Sequence, residues 1–117
     1  MTNNSSSSAE QKNAKTTPVE VRVAGVGNKF VTKGNNLTAT TTGQAFNAAG
    51  IGLPDALDWT VTAAPSRQIA ITGNQNVTIT ATNVQSNFNV TVTAKLRSNH
   101  NINKTVTFTV TALNPTT

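Results

Sequence analysis

The strongest constraint on this chain is a two-residue alternation of apolar side chains with threonine and other polar residues. The stretch FNVTVTAKL, residues 88–96, is apolar at every second position, and TVTFTVTAL, residues 105–113, repeats the pattern. Successive side chains of a β-strand point to opposite faces, so this alternation predicts strands with one buried and one solvated face. Threonine, with 22 copies among 117 residues, is β-branched and suits such a half-exposed surface.

Shorter runs of the same kind recur along the chain, separated by turn-forming segments such as Lys33-Gly34-Asn35-Asn36 and Gly73-Asn74. Residues 43–54 contain three glycines and a proline and are predicted to form a long irregular loop. Seven or eight strands at intervals of about 8 to 15 residues are typical of an all-β sandwich. The chain contains no cysteine, so the core must hold together without a disulfide.

The inward-facing positions of these strands predict the core. The residues expected there are Leu57, Trp59, Val61, Val90, Val92, Phe108 and Val110. Trp59 is the only tryptophan, and it alternates in phase with Leu57 and Val61. We therefore expect its ring to be a central plug, sealed between two stacked sheets.

The first 17 residues differ from the rest because they are rich in serine, asparagine and threonine and lack a periodic apolar pattern. This composition predicts a flexible polar arm or linker over 1–17, followed by one folded domain over 18–114. The chain has no apolar run of about 20 residues and no apolar signal-peptide core, so membrane insertion is not expected.

The sequence contains no set of residues that predicts a reaction. The single histidine, His100, lies in an asparagine-rich segment, and Asp55 and Asp58 are the only neighbouring carboxylates. We expect His100 to be exposed, and the two aspartates either to cap a turn or to lie at the surface. One histidine, no cysteine and few acids do not suit a zinc or calcium site. The prediction is therefore a protein that is not an enzyme and has no catalytic, metal-binding or cofactor-binding residue and no cofactor.

Basic residues are concentrated near the last predicted hairpin loop, where Lys95, Arg97, His100 and Lys104 form the best basic patch of a chain with net charge +5. Proteins that bind single-stranded nucleic acid usually combine such a patch with stacking aromatic side chains. This chain has no tyrosine and only four phenylalanines, so nucleic acid is not an expected partner. Arg97, His100 and Lys104, together with Phe46 in the predicted loop, are candidates for contacts with other molecules.

The order of the segments resembles a known family. The valine-rich run VEVRV is followed by the Lys33-Gly34 turn, a variable loop, the strand containing Trp59-Thr60-Val61, and two closing Thr/Val strands. This order is similar to that of bacterial immunoglobulin-like domains of the group 2 type, and the resemblance covers about residues 18–113. The family's glycine step before the second hairpin is present only loosely, from Gly73 to Val77. The resemblance implies an immunoglobulin-like β-sandwich without catalytic activity.

Members of that family occur in phage tail, capsid and fibre proteins and as stalk modules of bacterial adhesins. The first expectation is thus a virion module that decorates or joins a phage head or tail and contacts protein partners there. The alternative is an adhesion module at the bacterial cell surface, binding glycans or host proteins through residues 43–54 and 97–104. A carbohydrate-binding module is a third interpretation, with Phe46 as the aromatic platform and weak glycan binding as its consequence.

Overall fold

The computed structural model describes residues 15–115, and it confirms an all-β sandwich built from two sheets. The strands are β1 (Glu20–Val23), β2 (Lys29–Thr32), β3 (Leu37–Phe46), β4 (Gly52–Leu53), β5 (Leu57–Ala64), β6 (Ala70–Gly73), β7 (Asn76–Ala81), β8 (Phe88–Leu96) and β9 (Asn99–Leu113). The described part of the chain thus has nine strands rather than seven or eight, because the short β4 has no sequence pattern of its own. The predicted turns after β2 and β6 are present.

The first two strands belong to different sheets, β1 to the first and β2 to the second. The first sheet has the order β1-β3-β7-β6, with β4 also on β3, and all of its pairs are antiparallel. The second sheet has the order β2-β9-β8-β5, and β2 runs parallel to β9. Between β1 and β2, residues 24–28 cross from one sheet to the other, at the glycine-containing bend that the sequence indicated. Apart from the β2–β9 pair, all strand pairs of this two-sheet sandwich are antiparallel.

The core consists of two clusters of buried apolar side chains. The larger cluster contains Val31, Leu37, Ala39, Ile79, Ala81, Val84, Phe88, Val90, Val92, Phe108 and Val110. The smaller cluster contains Val21, Ala45, Leu53, Leu57, Ala94 and Leu96. Of the positions assigned to the core from sequence, Leu57, Val90, Val92, Phe108 and Val110 are buried, whereas Val61 is only partly buried.

Trp59 faces inward, but it is not the sealed plug that the sequence suggested. Its side chain is partly buried and packs against both clusters. The indole crosses the gap between the sheets and lies on Gly43 of β3, while its ring nitrogen donates a hydrogen bond to the carbonyl of Asn74. Since β5 is the edge strand of its sheet, one side of the ring stays open to solvent. The alternation correctly indicated that the side chain points inward, but it did not indicate that β5 lies at the edge of its sheet.

The chain enters and leaves the sandwich at opposite ends. The amide of Val19 bonds to the carbonyl of Phe46 at the end of β3, and we call this end the amino pole. The carbonyl of Leu113 accepts a bond from the amide of Lys33, just before β3 begins, at the carboxyl pole. The ten residues of β3 therefore separate the two points. The predicted arm, residues 1–17, lies almost entirely outside the described residues.

Two segments predicted as loops belong largely to strands. β3 continues through Phe46, and β4 adds a short pair, so only the centre of residues 43–54 is irregular. At the last hairpin, β8 and β9 are joined by two residues only, Arg97 and Ser98. The register then shifts, because Leu96 pairs with Asn99 whereas Lys95 pairs with Asn103. Residues 100–102 consequently bulge out of the ladder.

Candidate functional site

An open groove of about 510 Å³ crosses the outer face of the first sheet towards the amino pole. Strands β1, β3 and β7 each contribute to it because β3 changes partners here. It pairs with β7 through Thr42 and with β1 from Gly43 onwards. The groove is lined by Arg22, Val23, Ala24, Thr42, Gly43, Gln44, Phe46, Gln75 and Asn76. These residues come from three separate segments of the sequence.

Arg22 is held in place at one side of the groove. Its guanidinium carbon lies 4.1 Å from the centre of the Phe46 ring, which is a cation–π contact. Its Nη2 atom also donates to the Glu20 carboxylate at 3.1 Å. This hydrogen bond, reinforced by the charges of Arg22 and Lys104, lowers the pKa of Glu20 below its usual 4.5. Stacking and ion pairing together orient a cation that remains half exposed.

The other polar groups of the groove are uncharged amides. The side-chain amide of Gln44 lies directly over Gly52, where any Cβ would collide with it. Gln75 and Asn76 approach from the start of β7, and the Gln75 carbonyl accepts a 2.9 Å bond from the amide of Gly43. A carboxamide offers both donors and acceptors, so the groove combines one oriented cation with amides of mixed hydrogen-bonding character.

A second polar cluster surrounds Asp58 on β5. Arg97 Nε donates to Asp58 Oδ1 at 2.8 Å, and His100 Nε2 lies 2.9 Å from Asp58 Oδ2. These hydrogen bonds, that of His100 first, lower the pKa of Asp58 below its usual 3.8. The bulge in β9 brings His100 back to β5, so the cluster ties the last hairpin to the edge strand. Asp58 lies partly exposed at the surface, one of the two positions expected from the sequence, and its carboxylate links β5 to the start of β9.

The four residues predicted to contact other molecules lie at two places, the groove and the Asp58 cluster. Arg97 and His100 meet at Asp58, which neutralises part of the expected basic patch. Phe46 lies under Arg22 at the end of a strand rather than in a loop. Lys104 acts on Glu20 beside the groove. Sequence reasoning missed Arg22 as a binding candidate, although VEVRV already placed it on the outer face of a strand.

The Asp58–His100 pair resembles two members of a hydrolytic triad, but a triad also needs a serine bonded to the histidine. Within residues 15–115 no serine hydroxyl contacts His100, and both members of the pair are exposed. The described residues also contain no cluster of three His, Cys, Asp or Glu side chains that could hold a metal ion. In the same part of the chain, none of the helices has the length and apolar character needed to span a membrane.

Structural comparison decides the fold. A chimeric titin Z1Z2 functionalized with an exogenous KLER peptide from decorin matches with a TM-score of 0.61 and 11% identity, over 84% of this chain and 98% of that one. Titin M4, in a trigonal crystal form, matches with a TM-score of 0.60 and 13% identity, over 84% of this chain and all of that one. The chain has an immunoglobulin-like fold. At such low identity the likeness concerns the fold alone.

No protein-family model and no curated protein sequence matches this immunoglobulin-like domain. The fold expected from the resemblance is confirmed, whereas the bacterial group 2 type remains a prediction.

Proposed function

We propose that this immunoglobulin-like domain is a non-catalytic structural and interaction module of a phage virion, where it decorates or joins head or tail proteins. The observation that carries the proposal is the passage of the chain from the amino pole at Val19 to the carboxyl pole at Leu113. A sandwich with such an arrangement can stand in series between two neighbours and keep them apart. The sequence resemblance supports the virion as its setting.

The chemistry of the surface supports a role without catalysis. The outer face of the second sheet carries rows of threonines in register, such as Thr60, Thr93 and Thr105. The Asp58–His100 pair is exposed, and water screens charges at such positions strongly. A reactive centre generally needs a nucleophile beside a base in a sheltered site. These features suit a spacer that contacts other proteins through its poles and strand edges.

The contribution of the amino-terminal segment can be tested by deleting residues 1–14. This deletion leaves Lys15, whose carbonyl accepts a 2.9 Å bond from the buried Asn47 side chain. We expect the shortened protein to unfold at the same denaturant concentration and to be lost from purified particles. A protein with a Gly/Ser segment of equal length tests whether sequence or mere length matters. Full incorporation of the shortened protein would reject the role of this segment, and a full-length protein never found in particles would reject the virion.

The second candidate is a stalk or adhesion module of a bacterial surface protein. The opposite poles favour it as well, because modules in a stalk are joined end to end. The two candidates differ in their gene: a secretion signal and tandem copies of the domain indicate the stalk, and a position among phage structural genes indicates the virion. Surface labelling of intact bacteria with an antibody against the domain provides the direct measurement.

A further inference from the structure

We propose that the groove between β1, β3 and β7 binds an acidic sugar unit whose carboxylate pairs with Arg22. This inference rests on the interaction role proposed above and names a ligand class for it. The groove volume of about 510 Å³ lies within the range of roughly 300–1,000 Å³ that small-molecule sites occupy. Because the groove is open to solvent along the sheet face, it can accept a sugar within a longer chain as well as a free one.

Arg22 is the group that selects a carboxylate. Its guanidinium carries five N–H donors in a fixed plane, and the only ion pair it makes within residues 15–115 uses Nη2. The centre of the Phe46 ring lies 4.1 Å from the guanidinium carbon and keeps the group oriented. Binding of a ligand therefore costs Arg22 little conformational entropy. Arginine and carboxylate match as two parallel hydrogen bonds, which gives both strength and geometry.

The amides of the groove suit the hydroxyl groups of a sugar ring. A hydroxyl both donates and accepts, and so does each carboxamide of Gln44, Gln75 and Asn76. Within the described residues, none of these three side-chain amides makes an intramolecular hydrogen bond. Their bonding capacity is therefore available to a ligand, and Gly52 leaves the space in which Gln44 lies.

Glu20 provides a test of the proposed site, because its carboxylate competes with a ligand carboxylate for Arg22. Its carboxylate already accepts one hydrogen bond from Arg22, and this bond lowers the pKa of Glu20. A ligand carboxylate must share or replace this partner. Removing the charge of Glu20 should thus strengthen binding, whereas a merely structural Arg22 pair would give no such gain.

The test is an NMR titration of the isotope-labelled full chain with tetragalacturonate and with its methyl ester. The ester keeps the sugar rings and blocks the negative charges. We expect tetragalacturonate to shift the signals of Arg22 and of the Gln44 and Asn76 amides, with affinity falling as salt is added. The ester should bind about tenfold more weakly or not at all, because it offers no carboxylate to the guanidinium.

Three variants test whether the ligand binds in the groove. We expect Arg22→Gln to lose about tenfold or more in affinity and Glu20→Gln to gain severalfold. Lys33→Gln removes the same charge at the carboxyl pole and should leave affinity unchanged. The native spectrum and unfolding midpoint of each variant show whether it folds.

Equal binding of acid and ester, equal losses in Arg22→Gln and Lys33→Gln, or no binding at all would each overturn the acidic-sugar site. Particle incorporation of the Arg22→Gln protein separates this result from the proposed function. A variant that enters particles normally without binding sugar leaves the structural role standing. A wild-type protein that binds sugar but never enters particles sustains the site and removes the virion proposal.

Discussion

Gly43 shows how a single missing carbon atom permits the packing of Trp59. A Cβ at this position would lie 2.6 Å from both Cζ2 and Cη2 of the indole and 3.2 Å from Cδ1 of Leu57. We predict that Gly43→Ala lowers the free energy of unfolding by about 1–3 kcal/mol, the usual cost of overpacking a filled core. Urea denaturation measures the loss, and the fluorescence of the displaced indole should shift towards that of a solvated ring.

The matched control is Gly25→Ala, which adds the same methyl group where no atom beyond the two chain neighbours lies within 4 Å. Gly25 is in the crossing between the sheets, and the change there should alter the unfolding free energy by less than about 1 kcal/mol. Equal losses in the two proteins would mean that the indole does not depend on the space above Gly43.

At this same scale, the sequence predicted which way Trp59 points but not how far it is buried. Alternation with Leu57 and Val61 is a local property of one strand, and it survives in the structure. Burial depends on which strands lie beside β5, and β5 has β8 on one side only. Which strands pair in a sheet depends on residues far apart in the sequence. The partial exposure of the indole therefore could not be predicted from the local alternation.

At the scale of elements, Asp58 connects the β8–β9 hairpin to β5, and this link should depend on pH. Its pKa is lowered because His100 and Arg97 hydrogen-bond to the carboxylate. The ionised form therefore stabilises the folded state above the usual value of 3.8, and this contribution disappears as the pH falls below that value. We predict that Asp58→Asn is less stable than the wild type near neutral pH and that this difference shrinks as the pH falls through the lowered pKa of Asp58.

Urea unfolding at a series of pH values checks this prediction, with Asp55→Asn as the control. Asp55 makes no ion pair within residues 15–115, so its replacement should cost less stability near neutral pH than that of Asp58. A difference between wild type and Asp58→Asn that persists undiminished in acid would show that the hairpin is held by contacts other than the carboxylate.

Two strand segments could not be recognised from sequence, and each for a physical reason. The end of β3 contains Gly43, which usually interrupts a strand pattern, but here the glycine is required by the indole above it. The start of β9, with Asn99, Asn101 and Asn103, is exposed except for Ile102, which packs partly against the smaller core cluster. One partly buried apolar side chain among asparagines does not produce an alternation, so the sequence does not mark this segment as a strand.

At the scale of the whole molecule, the sandwich was predictable and the groove was not. Regularly spaced alternating runs define the two layers, and the resemblance supplied the immunoglobulin-like arrangement. The groove depends on the pairing of β3 with β1 and β7, which brings Arg22, Gln44 and Asn76 together across more than fifty residues of sequence. Each of these side chains looks like an ordinary exposed strand residue when taken alone.

The separation of the poles can be measured directly because the chain contains no cysteine to interfere with labelling. Spin labels on Val19→Cys and Asn114→Cys should be about 30 Å apart, since the ten residues of β3 rise about 3.4 Å each. Labels on Val19→Cys and Ile51→Cys form the control pair, because both residues bond to the backbone at the end of β3. We expect these to be within about 15 Å. If the first distance were as short as the second, the chain would leave at the pole where it entered, and it could not stand in series between two neighbours.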